Sequence, residues 1–198
     1  NECGTNVTTG SYNVLLGSYA GKLVTTGSES CYLGYRAGYN QTTAQYTTAI
    51  GADSLYNATT GTGNVSIGRE SMKNTVAAQY NTAVGYKALK SNNGANADYN
   101  VAIGTQAGDN ITTGSNNIGI GSNADASGAT VSNEITLGDT NITKFRVPGL
   151  NFVIKDSTAT DNYVLTVDAN GEAGWEAAAG GGGGLSSDAQ ENTVGGSN

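Results

Sequence analysis

The chain has 198 residues, of which 30 are glycine, one is proline, one tryptophan, one methionine and two phenylalanine, so large apolar side chains are too scarce for a conventional globular core. Nine basic against 16 acidic residues give a net charge of −7 without any histidine, which argues against nucleic acid or an anionic membrane surface as partner. No apolar run is long enough to span a bilayer, so no membrane insertion is expected.

Residues 1–142 carry an internal period. A glycine that follows a short aliphatic run recurs at Gly17, Gly34, Gly51, Gly68, Gly85, Gly104, Gly121 and Gly138, spaced by 17 residues with one step of 19. The residue before it is always aliphatic, from Leu16 to Leu137, and the residue three before it reads Val14, Cys31, Thr48, Val65, Thr82, Val101, Ile118 and Ile135. These two columns share one face of a strand and are expected to face the core, Thr82 and Val84 among them. The residue between them is mostly small and is expected to point the other way, and the small residues three after the glycine (Ala20, Ala37, Ser54, Ser71, Ala88, Ala107, Ala124) are expected where close packing demands them. Four before the glycine stand Asn13, Asn64, Asn81, Asn100 and Asn117, which suits a stacked asparagine ladder. Thr-Thr-Gly at 8–10, 25–27, 59–61 and 112–114 marks a second corner. Its two threonines are adjacent and would face opposite sides, which disfavours a flat ice-binding array.

One strand, a weaker extended stretch and two corners per 17 residues describe a rung of an all-β, parallel β-solenoid, either a β-roll or a β-helix. Two or three apolar side chains cannot offset the ordering entropy of one rung at roughly 1–2 kcal/mol per residue, so stacking is obligatory. So thin a coil would also gain from association, and an intertwined or side-by-side homotrimer is expected.

After the array, residues 143–179 read as an all-β connector. KFRVPGLNFVI alternates like a half-buried strand, and YVLTVDANGEAGWEA reads as a small β-hairpin module turning at 168–171. Residues 180–190 form a Gly-rich linker, and ENTVGGSN over 191–198 starts a further array.

The units NTAVGYKAL, NVAIGTQAG and NVSIGRESM resemble the NxAIGxxA repeats in the heads of trimeric autotransporter (YadA-like) adhesins and, more closely, the NTAVGYxAL arrays of phage tail fibres and large bacterial surface proteins. The resemblance covers residues 1–142 and implies a trimeric parallel solenoid used as shaft or receptor-facing head. VLTVDANGEAGWEA is similar to a segment that precedes the distal domains of many phage fibres.

Chemistry-bearing patterns are sparse. Without histidine, paired cysteines or a phosphate loop, no catalytic residue, metal site or cofactor is expected, and an enzyme is the disfavoured reading. Asp53 and Glu70 fall in one column, as a glycan-cleaving tailspike would require, but their column mates Arg36 and Lys87 fit a surface charge ladder. Tyr46 and Tyr80, with Tyr12 and Tyr99, stand just before the asparagine column, whereas Tyr35 and Tyr86 follow the glycine. Tyr35, Tyr86, Tyr46 and Tyr80 are the candidate recognition residues, against a bland role as ladders between rungs. The expectation is a structural segment of a virion tail fibre in host attachment, with a host surface glycan or protein as receptor. A cell-surface or secreted bacterial adhesin is the alternative.

Overall fold

The computed structural model describes residues 2–94, 96–146, 163–167 and 173–177. Residues 1–145 form one compact unit, a β-solenoid of eight three-residue strands, one per rung. They are β1 (Val14–Leu16), β2 (Cys31–Leu33), β3 (Thr48–Ile50), β4 (Val65–Ile67), β5 (Thr82–Val84), β6 (Val101–Ile103), β7 (Ile118–Ile120) and β8 (Ile135–Leu137). Each pairs in parallel with the next and in the register of the repeat, Val14 opposite Cys31 and Leu16 opposite Leu33. The step of 19 residues leaves that register intact, with Thr82 opposite Val101.

Hydrogen bonding along the axis is not confined to the strands. The Thr25 N–H donates to the Thr42 carbonyl and the Gly21 N–H to Ala37, both at 2.9 Å. The first-threonine hydroxyls of Thr8, Thr25, Thr42 and Thr59 donate to the carbonyl one rung on at 3.0–3.2 Å. The corners thereby satisfy backbone groups that a buried loop would leave unpaired.

The asparagine column works the same way from inside. Asn81 Oδ1 accepts from the Asn100 N–H at 2.8 Å, and Asn100 Oδ1 from the Asn117 N–H at 3.0 Å. Asn13, Asn64, Asn100 and Asn117 donate through Nδ2 to the facing corner carbonyl of the following rung, those of Gly27, Ala78, Gly114 and Val131. Ser30 keeps the accepting half of this arrangement for Thr47.

The glycine column has a direct steric cause. From Gly17 to Gly104 the backbone runs at φ between +126° and +141°, and an added Cβ would fall within 3.0 Å of the next glycine's backbone. Stacked rungs approach too closely there for any side chain.

Side-chain direction corrects one expectation. The core takes the middle residue of each strand, with Tyr32, Ala49, Ser66, Ala83 and Ala102 fully buried. The two aliphatic columns point outward, and Val14, Leu16 and Ile135 are 59%, 63% and 67% exposed. Thr82 and Val84 are likewise only half-buried. The coil is too narrow to hold two branched residues per rung, so the small residue faces in. The expected small column three after the glycine is buried, from Ala20 to Ala124.

The core volume is shared between two walls. Where the strand supplies a large residue, Leu15 or Tyr32, the position four after the glycine is Gly21 or Gly38, whose added Cβ would meet that side chain at 2.8 Å. Where the strand supplies Ala49, Ser66 or Ala83, the same position holds buried Leu55, Met72 or Leu89 in the same left-handed backbone. Burial pushes the Tyr32 phenol up to about 12, with a hydrogen bond to Ser30 acting in the opposite direction.

In the second unit, β9 (Tyr163–Val167) and β10 (Ala173–Ala177) form a two-stranded antiparallel sheet, Ala173 opposite Val167. The turn at 168–171, the linker at 180–190 and the restart at 191–198 lie outside the described residues.

Candidate functional site: an aliphatic face and an aromatic-ionic corner

Two surfaces stand out, both produced by the period. The first is the outward face of the eight-stranded sheet. Leu16, Leu33, Ile103, Ile120 and Leu137 are exposed along it, with Ile50, Ile67 and Val84 half-buried between them. At about 4.8 Å per strand the stripe runs roughly 34 Å along the axis. An apolar band of that length is unusual on so polar a chain. Cys31 lies in the other outward column, opposite Val14, whereas the Cys3 thiol donates to the Leu15 carbonyl at 3.2 Å; both are free thiols.

The second surface is the corner just after the glycine. Residues two after it adopt left-handed backbone, Arg36 at φ 55° and Asp53 at φ 57°, held because their N–H groups donate to the preceding rung, Arg36 to Ser18 and Asp53 to Tyr35. Side chains two and five after the glycine meet across neighbouring rungs. Arg36 donates through Nε and Nη2 to both oxygens of Asp53 at 2.8 and 2.9 Å. Lys73 bridges Asp53 at 3.3 Å and Glu70 at 3.7 Å, and Lys90 reaches Glu70 at 3.6 Å.

Asp53 and Glu70 are therefore members of a charge ladder. Burial pushes the Glu70 carboxyl up, but the charges of Lys73, Lys90, Arg69 and Lys87 together outweigh it and hold the group below its usual range. A carboxyl so held is a poor general acid for glycan cleavage. Among the described residues no group of three or more histidine, cysteine, aspartate or glutamate side chains is placed to hold a metal ion.

Toward β1 the same corner turns aromatic. Tyr19, Tyr39 and Tyr56 replace the charges, with Tyr39 and Tyr56 at 5.2 Å between ring centroids and Tyr19 at 6.3 Å from Tyr39. Tyr35 meets Tyr19 edge-on at 6.2 Å. The Arg36 guanidinium lies 4.7 Å from the Tyr35 centroid and 4.8 Å from that of Tyr56, and Lys22 Nζ lies 5.1 Å from Tyr19. Together with Lys22 and Arg36 these rings line a cleft of about 300 Å³.

The four tyrosines selected from the sequence do not form one site. Tyr35 belongs to this cleft. Tyr86 sits farther along the same corner, with Lys87 Nζ 4.9 Å and the Arg69 guanidinium 5.8 Å from its centroid. Tyr46 and Tyr80 occupy the opposite end of the strand in left-handed backbone, and Tyr80 stacks on Tyr99 at 5.4 Å with ring planes 10° apart. Reading each column singly missed Tyr19, Tyr39, Tyr56 and Lys22; reading the positions two and five after the glycine together would have found them. Comparison of the chain with protein-family models, with curated proteins and with solved structures returns no match.

Proposed function

We propose that this chain is a structural segment of a phage tail fibre, a homotrimeric solenoid that serves as shaft or receptor-facing module in host attachment. The observation that supports it best is the exposed aliphatic stripe. Three chains that turn these faces toward a common axis would remove it from water, at about 25 cal/mol for each Å² covered, and the axial ladder would give the assembly stiffness. On this reading the chain is no enzyme. The paired strands β9 and β10 are the arms of a hairpin within the connector at 143–179, and the linker at 180–190 leads into the array begun at 191–198.

Sedimentation equilibrium tests the assembly. The expected mass is three times the 19.9 kDa of the chain. Ile67→Lys/Ile103→Lys, which places charges on the stripe without touching the core, is expected to sediment as a monomer that keeps its sheet signal in circular dichroism. A wild-type monomer would remove the support for a trimeric fibre.

A further inference from the structure

We propose that the cleft between Tyr19, Tyr35, Tyr39 and Tyr56 is a subsite for a neutral pyranose ring of a surface glycan. The proposal rests on the host-attachment reading above and names the chemistry that a receptor would offer it.

The coil itself does not require these rings. In the next rungs the same two positions hold Glu70 with Lys73, Lys87 with Lys90, and Gln106 with Asp109, on a backbone with the same left-handed turn at φ 59°, 59° and 56°. Only the rungs nearest β1 carry tyrosines there, so the aromatics are an addition to the fold rather than a condition of it. A volume of about 300 Å³ lies at the small end of the range for small-molecule sites.

The site is also held before any ligand arrives. Arg36 is fixed by its two hydrogen bonds to Asp53 and packs against both Tyr35 and Tyr56. Lys22 pairs with Glu2 at 2.6 Å at the surface and lies over the rings of Tyr19 and Tyr39. A weak ligand gains most where side chains need no further ordering.

The charge balance selects the class of sugar. Both cations lining the cleft already pair with a carboxylate, Lys22 with Glu2 and Arg36 with the Asp53 it shares with Lys73, so an acidic sugar would find neither of them unpaired. A neutral pyranose has an apolar C–H face to lay on a ring and hydroxyls for the phenol and cation edges. Phosphorylated and carboxylated ligands are correspondingly disfavoured.

Saturation-transfer NMR on the purified full chain tests this with four probes at millimolar concentration: the methyl glycosides of glucose, galactose, mannose and N-acetylglucosamine. At least one is expected to receive saturation on its ring C–H protons, and the signal is expected to fall about tenfold in Tyr39→Ala/Tyr56→Ala. Lys90→Ala, which removes a partner of Glu70 in the ionic half of the corner, is expected to leave it unchanged. If the double alanine variant loses its sheet signal, Tyr39→Leu/Tyr56→Leu keeps bulk without the aromatic face and is expected to show the same loss.

No transfer to any of the four, transfer that survives loss of both rings, or stronger transfer to methyl glucuronide than to the neutral glycosides would each overturn the proposal. Sedimentation of the same samples separates the two readings. A trimer that binds no glycoside overturns the subsite alone, and a monomer that binds one overturns the assembly alone.

Discussion

The sharing of core volume between two walls predicts a rescue in the second rung. Tyr32 is fully buried and faces Gly38, while one rung on Ala49 accompanies Leu55. Tyr32→Ala alone removes an aromatic from a narrow core and is expected to cost about 4 kcal/mol, as other buried aromatic truncations do. Gly38→Leu alone drives a Cβ to 2.8 Å from the Tyr32 ring at φ +59°. Overpacking and left-handed backbone together put its cost at about 3 kcal/mol. The double variant reproduces the small-strand, large-turn pairing of the third rung, and it is expected to lose about 2–3 kcal/mol less than the two single losses combined. Guanidinium unfolding followed by far-UV circular dichroism reads the cycle, provided the slope with denaturant stays constant. Additivity within about 0.5 kcal/mol would refute the shared-volume reasoning.

Other consequences are local. Gly85→Ala, at φ +141° against the Gly104 backbone, is expected to cost about 4 kcal/mol, whereas Gly138→Ala, opposed by the side chain of Ile142 instead of a further rung, is expected to cost about 1–2 kcal/mol; equal losses in chemical denaturation would contradict the close-approach account. Asn81→Ala strips the Asn100 N–H of its acceptor and is expected to lose about 1–3 kcal/mol, with faster amide exchange at Asn100; unchanged exchange would show that the ladder is dispensable. Because the folded Glu70 carboxyl titrates below its ordinary 4.5, its stabilisation is present above that pH and lost as pH falls through the folded value. The denaturation midpoint is expected to drop on acidification below about pH 4.5, and less steeply in Glu70→Gln; identical slopes would deny Glu70 that role.

The solenoid was legible in the sequence because each rung repeats the same steric demand. Gly17 through Gly121 stand where the next rung's backbone leaves no room for a side chain, and the asparagines from Asn13 to Asn117 where a rung-to-rung hydrogen bond is wanted, so the pattern carries its own cause. Side-chain direction was less legible. Alternation places Val65 and Ile67 on one face and Ser66 on the other, but hydrophobicity alone assigns the aliphatic pair to the inside, and the diameter of the coil decides otherwise. The complementarity of Tyr32 with Gly38, and of Ala49 with Leu55, is visible only once the two walls are known to face one another. The tyrosine cleft was hidden for a related reason: Arg36, Tyr39 and Tyr56 come from two columns and two rungs, and their meeting depends on the corner between them.

The outward sheet face as the assembly surface is tested most directly by placed cross-links. In a Cys3→Ser/Cys31→Ser background, Ile67→Cys puts one thiol on the stripe, and Thr60→Cys puts one on the exposed threonine corner. A short three-armed maleimide is expected to convert the first into a covalent trimer and to leave the second monomeric in denaturing electrophoresis. Equal cross-linking from both positions, or none from Ile67→Cys, would contradict assembly through the aliphatic face.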